Sequence, residues 1–224
     1  MNARNAAMPS EVGSEKRGQY ARGTEPEVLT EIYRDAVNIA IWETGLSANL
    51  ERAVKAVMDS SPGLQLSEVI SITSAENQLQ KILGAEDAFV ELRNDVLELV
   101  DMFCCLFGLQ RAGLRLAILN RAMCPRFHVD HVPCRLLKTY TGIATQWIPH
   151  DLVDRSKLGV DFHNQSDEVS GLFQSETDIE NLQSGQVALL KGERWEGNEG
   201  GGLFHRSPGL NGAECRLLLS LDFA

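Results

Sequence analysis

The sequence predicts an α+β protein, with an N-terminal helical region packed on a C-terminal β-rich body. Three observations carry this expectation. Apolar residues recur at helical spacing up to residue 108 and alternate at strand spacing beyond it. Of the 19 glycines, 12 follow residue 108, as do all five histidines. Charge divides at the same place: residues 1–108 hold 9 basic and 17 acidic groups, and residues 109–224 hold 12 and 14. The expected organisation is a disordered tail over 1–23, a helical region over 24–108 and a β domain over 109–224.

Residues 1–23 are polar and rich in Gly, Ser, Arg and Glu, so they bury too little apolar surface to offset the entropy of ordering. Thr24-Glu25-Pro26-Glu27 reads as a helix start, and Leu29, Ile32, Ala36, Ile39 and Ala40 follow at helical spacing. A second helix carries Leu46, Leu50, Ala53, Val54 and Val57 and stops before Ser60-Ser61-Pro62-Gly63. Thr73 and Glu76 offer a capping box for a short helix ending at Leu83. Phe89, Leu92, Val96, Val100, Phe103 and Phe107 make a long apolar stripe with Glu91, Arg93, Asp95, Glu98 and Asp101 on the other face.

From Leu114 the period shortens to two. Strands are expected over Leu114–Leu119, Phe127–Thr141 with a break at Pro133, Thr145–Ile148, Val187–Leu190, Leu203–His205 and Cys215–Phe223. Many short strands with Gly and Pro turns mean a sandwich or small barrel. Residues 150–178 are a polar, irregular insertion and, with the glycine-rich loop 197–202, a candidate lid.

Composition narrows the function. The chain of 224 residues carries a formal charge of −10, which argues against gripping a phosphate backbone and so against nucleic-acid partners. No apolar run is long enough to span a membrane, and the first residues lack the apolar core of a secretory signal. Five cysteines, an odd number, suit reduced thiols in a cytoplasmic protein.

The densest chemistry lies in Cys124-Pro125-Arg126-Phe127-His128-Val129-Asp130-His131-Val132-Pro133-Cys134. On a strand, residues two apart share a face, so His128 and Asp130 project together. His205 is the next strong ligand in a suitable context. Two imidazoles and one carboxylate on one side of a metal form the facial triad of non-haem Fe(II) oxygenases, which leaves positions open for co-substrate and dioxygen. Arg216 lies eleven residues after His205. A turn at Pro208–Gly212 would bring it back toward the metal, where a guanidinium clamps a carboxylate in bidentate fashion.

This order, His-x-Asp, then a distant His, then Arg, resembles the Fe(II)- and 2-oxoglutarate-dependent dioxygenases. Ser184-Gly185-Gln186 with Val187–Gly192 resembles the turn and strand before their distal histidine, and Gly202–Pro208 is similar to the distal histidine segment of prolyl-hydroxylase-like members. The resemblance covers roughly residues 112–224 and implies a double-stranded β-helix (a cupin-like jelly roll). It implies His128, Asp130 and His205 as metal ligands and catalytic centre, and Arg216 as the clamp on the far carboxylate of 2-oxoglutarate. Tyr140 or Lys138 would help hold that co-substrate. Arg216 is followed by Leu217-Leu218, with no Ser or Thr two residues on to share the carboxylate. Taken whole, the chain also resembles a bacterial family known as a domain of unknown function. That family has the same Cys-Pro-Arg-Phe-His-x-Asp block and occurs beside zinc-responsive genes, which implies a role in metal homeostasis.

Two functions stay open at this point. One is an oxygenase that uses Fe(II) and 2-oxoglutarate to hydroxylate a small molecule or peptide. The other is a non-catalytic cupin-like protein that binds zinc or a small ligand. Zinc also has a rival ligand set in Cys124, His128, His131 and Cys134, if these converge. The acidic helical half is a candidate surface for homodimerisation.

Overall fold

The computed structural model describes residues 19–157, 167, 169–212 and 214–224. Its strands are β1 (Gln19–Gly23), β2 (Val37–Trp42), β3 (Gln65–Ser71), β4 (Arg111–Leu119), β5 (Cys134–Thr141), β6 (Gln146–Ile148), β7 (Glu180–Asn181), β8 (Val187–Lys191), β9 (Phe204–Arg206) and β10 (Arg216–Phe223). The helices α1 (Ala48–Ser60), α2 (Ala75–Leu83) and α3 (Val90–Phe107) all precede β4. Seven strands form a large sheet in the order β1-β2-β8-β5-β10-β4-β3, and β7-β6-β9 form a small one. Neighbouring strands are antiparallel except β1 and β2.

Period-two alternation sorts the side chains of the large sheet into two layers. Leu114 and Leu116 of β4, Leu136 of β5 and Leu217, Leu219 and Leu221 of β10 face the helices. There they meet Leu92, Val96, Val100 and Phe103 of α3, with Val54 and Val57 of α1. The opposite face carries Ile39, Ile41, Leu137, Ala188 and Leu190, which meet Trp147, Leu182 and Leu203 on the side of the small sheet. A third apolar cluster joins Phe127, Ile148, Phe204, Leu172 and Phe173, so the insertion packs on the body. Among the described residues no helix is long and apolar enough to cross a membrane.

Several expected elements differ from those observed. Gln19–Gly23, assigned by composition to the tail, is an edge strand on β2; residues 1–18 lie outside the described residues. The first expected helix is instead a 3-10 segment, Pro26–Tyr33, followed by β2. Val37, Asn38, Ile39, Ala40 and Ile41 are all buried, because β2 lies between β1 and β8 and is covered on both faces. A strand covered on both sides reads as a continuous apolar run, which the helical template also fits. The capping box at Thr73–Glu76 does not form, and Ser74 hydrogen-bonds to Gln78 instead. Nor is residue 108 a boundary within the sheet, since β1–β3 share it with the later strands.

The alternation also relocates two residues expected near the co-substrate. Lys138 and Tyr140 share the parity of Leu136 and face α3. Asp95 of α3 meets both: Lys138 donates to its Oδ1 at 2.6 Å and the Tyr140 hydroxyl to its Oδ2 at 2.6 Å. Lys138 is 3% exposed and Tyr140 1%. These three residues tie helix to sheet, on the face opposite His205. Removing one partner of a buried pair strands the other charge. Asp95→Ala should lower unfolding free energy in denaturant melts by roughly 3 kcal/mol. Adding Lys138→Met should recover much of that loss.

Candidate metal centre

The chain from Phe127 to Pro133 runs beside two other segments and is pinned to both. His128 and His205 face each other across an antiparallel bridge, with both reciprocal backbone hydrogen bonds formed at 3.1 and 3.0 Å. Because β9 also pairs with β6, His205 is held from both sides. Further along, the Glu193 amide donates to the Asp130 carbonyl at 2.9 Å and the Gly192 amide to that of Pro133 at 2.9 Å. Gly192 is required there. A Cβ at 192 would lie 2.1 Å from the Val132 carbonyl oxygen and 2.8 Å from that of Asp130.

His128, Asp130 and His205 are the one group of three or more His, Cys, Asp or Glu ligands that converges among the described residues. Their ligand atoms all lie within 4.8 Å of one another. In both rings Nδ1–H donates to the carbonyl two residues earlier, Arg126 for His128 at 2.9 Å and Leu203 for His205 at 3.1 Å. A carbonyl only accepts, so the proton of each neutral ring sits on Nδ1. Each Nε2 then presents a lone pair toward Asp130, at 3.8 Å from Oδ1 for His128 and 3.3 Å from Oδ2 for His205. Burial, then the neighbouring His205, pull the His128 pKa below its ordinary value, which keeps that ring neutral. Burial opposes ionisation of Asp130. Once the imidazoles are protonated in acid, the His205 hydrogen bond and charge, with Arg135 and His128, outweigh it and hold the carboxyl at about 2. Three lone pairs thus converge with no proton assigned between them, a donor set that suits a divalent cation.

Arg135 was not singled out by sequence reasoning. Its guanidinium donates to Asp222 of β10 through Nε at 2.7 Å and Nη2 at 2.9 Å, and to Asp130 Oδ2 through Nη1 at 2.7 Å. It anchors the carboxylate to the last strand. The available signal was its position one residue past Cys134, on the sheet face that carries Leu137. The Asp167 carboxylate, from the insertion, accepts from the Phe127 amide at 3.0 Å and from Arg206 at 3.0 Å, and was missed as well.

Arg216 does reach this region. It lines a cavity of about 70 Å³ together with His128, His205, Thr145 and Arg135. The side chain is 1% exposed, and Nε and Nη1 have no partner while Nη2 donates to Thr145 Oγ1 at 3.3 Å. Burial pulls its pKa down to about 10. Gly142 makes room for its backbone: at φ +85°, a Cβ there would lie 2.5 Å from the Cys215 carbonyl and 2.9 Å from the Arg216 Cα. Thr145 supplies the hydroxyl that position 218 lacks.

The rival zinc set does not assemble. Cys134 is buried against the helices, whereas Cys124 and His131 are exposed. His163 lies outside the described residues. The glycine-rich loop is tied down rather than free: Glu193 accepts from the amides of Gly200 at 2.8 Å and Gly202 at 3.2 Å.

Residues 23–222 match the family described as "Protein of unknown function (DUF1826)". The chain belongs to that family. No curated protein matches this DUF1826 chain in sequence. Among solved structures it is similar to the dioxygenase for auxin oxidation of rice, at 12% identity and TM-score 0.52, over 87% of this chain and 76% of that one. It is also similar to dioxygenase for auxin oxidation 1 from Arabidopsis thaliana, solved as a 2-oxoglutarate complex. That match has 10% identity and TM-score 0.50 and covers 91% of both chains. The likeness is one of fold, the double-stranded β-helix. At this coverage it extends well beyond residues 112–224 and takes in the helical part of the DUF1826 chain.

Two outcomes follow for the DUF1826 centre. In Gly192→Ala the 130–133 segment has to move, so cobalt titration should show at least a ten-fold loss of affinity while the fold persists. The second concerns apo-protein stability. The Asp130 pKa is depressed from 3.8 to about 2, so its contribution is present above about pH 4 and lost as pH falls toward 2. Asp130→Asn should flatten that part of a pH–stability profile measured without metal.

Proposed function

We propose that the protein is an Fe(II)- and 2-oxoglutarate-dependent oxygenase. His128, Asp130 and His205 would hold the iron, and Arg216 with Thr145 the far carboxylate of 2-oxoglutarate. One observation carries this reading: a buried guanidinium with two unpartnered nitrogens opens on the same cavity as the two histidines. A buried charge without partners is costly, and a carboxylate is the group whose geometry matches it. The fold likeness to a protein solved with 2-oxoglutarate supports the choice of co-substrate.

When bound, iron and 2-oxoglutarate would let dioxygen be split between two oxidations, one atom going to the carboxylate left by decarboxylation of the 2-oxo acid, with release of carbon dioxide, and the other to a hydroxyl on a substrate C–H carbon. The chain supplies the rest. The backbone carbonyls of Arg126 and Leu203 fix both imidazole tautomers, so Nε2 is the ligating atom in each. Arg135 holds one carboxylate oxygen of Asp130 and leaves Oδ1 toward His128. Leu137, Ala117 and Leu218 line the cavity and limit water beside the reacting groups.

Anaerobic addition of Fe(II) and 2-oxoglutarate tests this. One equivalent of iron should bind and a weak visible charge-transfer band should appear. His128→Ala and His205→Ala should lose the iron. Arg216→Met should keep iron but bind 2-oxoglutarate about a hundred-fold more weakly. A protein that takes up zinc, gives no band with iron and 2-oxoglutarate and consumes none of the latter would be the metal-binding alternative. Stoichiometric iron in His128→Ala would break the ligand assignment.

A further inference from the structure

The cavity beside the metal centre is lined by four arginines, Arg115, Arg135, Arg206 and Arg216, and by no Asp or Glu. In a chain of net charge −10 this is a local inversion. Two of the four are committed to protein carboxylates. Arg135 is held by Asp130 and Asp222; Arg206 is held by Asp167, bonds to Gln146 and lies over the Phe127 ring at 4.4 Å. Arg216 is assigned above to 2-oxoglutarate. Arg115 remains. It is exposed, and its guanidinium makes no hydrogen bond or ion pair with the described residues.

The sheet register sets Arg115 and Arg216 well apart. Arg115 of β4 stands opposite Ser220, Ala117 opposite Leu218, and Leu119 opposite Arg216. At the usual rise per residue, the two arginines start about 14 Å apart along the strands. Between them the floor is Ala117, Leu218 and Ser220, and Met123 and Cys124 stand exposed at the rim. A second guanidinium at the open end, an apolar floor beside it and no acidic neighbour in the lining make a half-site for an organic anion.

We infer that the substrate is a small carboxylic acid, bound with its carboxylate on Arg115 and its carbon skeleton along Ala117 and Leu218 toward His128. This rests on the oxygenase reading. A single guanidinium fork matches a carboxylate with two parallel hydrogen bonds. A neutral or cationic substrate would leave Arg115 without a role and would meet a repulsive or indifferent field at the mouth.

Calorimetry on the anaerobic Fe(II)- and 2-oxoglutarate-loaded protein tests it with three matched pairs of probes: benzoate and benzamide, phenylacetate and phenylacetamide, hexanoate and hexanamide. At least one carboxylate should bind ten-fold or more tightly than its amide. In Arg115→Gln that preference should fall to within two-fold, with the charge-transfer band of iron and 2-oxoglutarate unchanged. A missing band in the unaltered protein overturns the oxygenase reading, and this inference with it. With the band present, the absence of any carboxylate preference, or a preference that survives Arg115→Gln, overturns the inference alone.

Discussion

Strands β4, β5 and β10 each send alternate side chains into a helix-covered apolar layer and into a cavity roofed by the small sheet. Where these strands are buried, neither side is open solvent, so a polar group there needs a partner inside the protein or a ligand. On the helix side Lys138 and Tyr140 find Asp95. On the cavity side Arg135 finds Asp130 and Asp222, and Arg216 finds only the Thr145 hydroxyl. The same constraint acts on three cationic side chains and leaves one of them short of acceptors.

The metal centre depends on that sorting even though its ligands lie outside those strands. Asp130 sits in an irregular stretch between β4 and β5, where no ladder holds it. Its position comes from Arg135, itself fixed by a two-point bond to Asp222, and from the contact with Gly192 that only a residue without Cβ permits. His128 and His205 take their geometry from the backbone instead, through their bridge and the two carbonyls that accept from Nδ1. Carboxylate and imidazoles are therefore positioned by independent devices: one electrostatic, the other made of main-chain hydrogen bonds.

What could be read from the sequence follows the same division. α1, α3, β4, β8 and β10 were legible because each has one buried face or a simple apolar run bounded by turn residues. β2 was not, since a strand covered on both faces loses its period, and Ile39 and Ala40 fit a helix equally well. The grouping of His128, Asp130 and His205, with Arg216 nearby, was legible from residue order and likeness to a family. Lys138 and Tyr140 were misplaced because co-substrate chemistry was weighed ahead of parity: Leu136, two residues before Lys138, already marks that face as core. Thr145 and Asp167 went unseen because their partners are 71 and 40 residues away, and Arg135 because Asp222, which fixes it at two points, is 87 away; no local pattern encodes such pairings.

The distribution of partners bears on why Arg216 stays in place. A buried guanidinium with unpaired donors costs about 1–3 kcal/mol for each group left unsatisfied. A protein selected for stability alone would replace it with an apolar side chain that packs with Leu218, its neighbour on the same face of the strand. Arg135 shows that this fold can supply acceptors to a buried arginine: two carboxylates reach it. The cavity beside Arg216 has no such group. The missing acceptor is thus specific to the one arginine that shares a cavity with the two histidines and is buried deeply enough for an anion bound there to be shielded from water. The proposed carboxylate occupant would account for a site kept at that cost, which neither a purely structural arginine nor a metal-storage role for the three ligands would require.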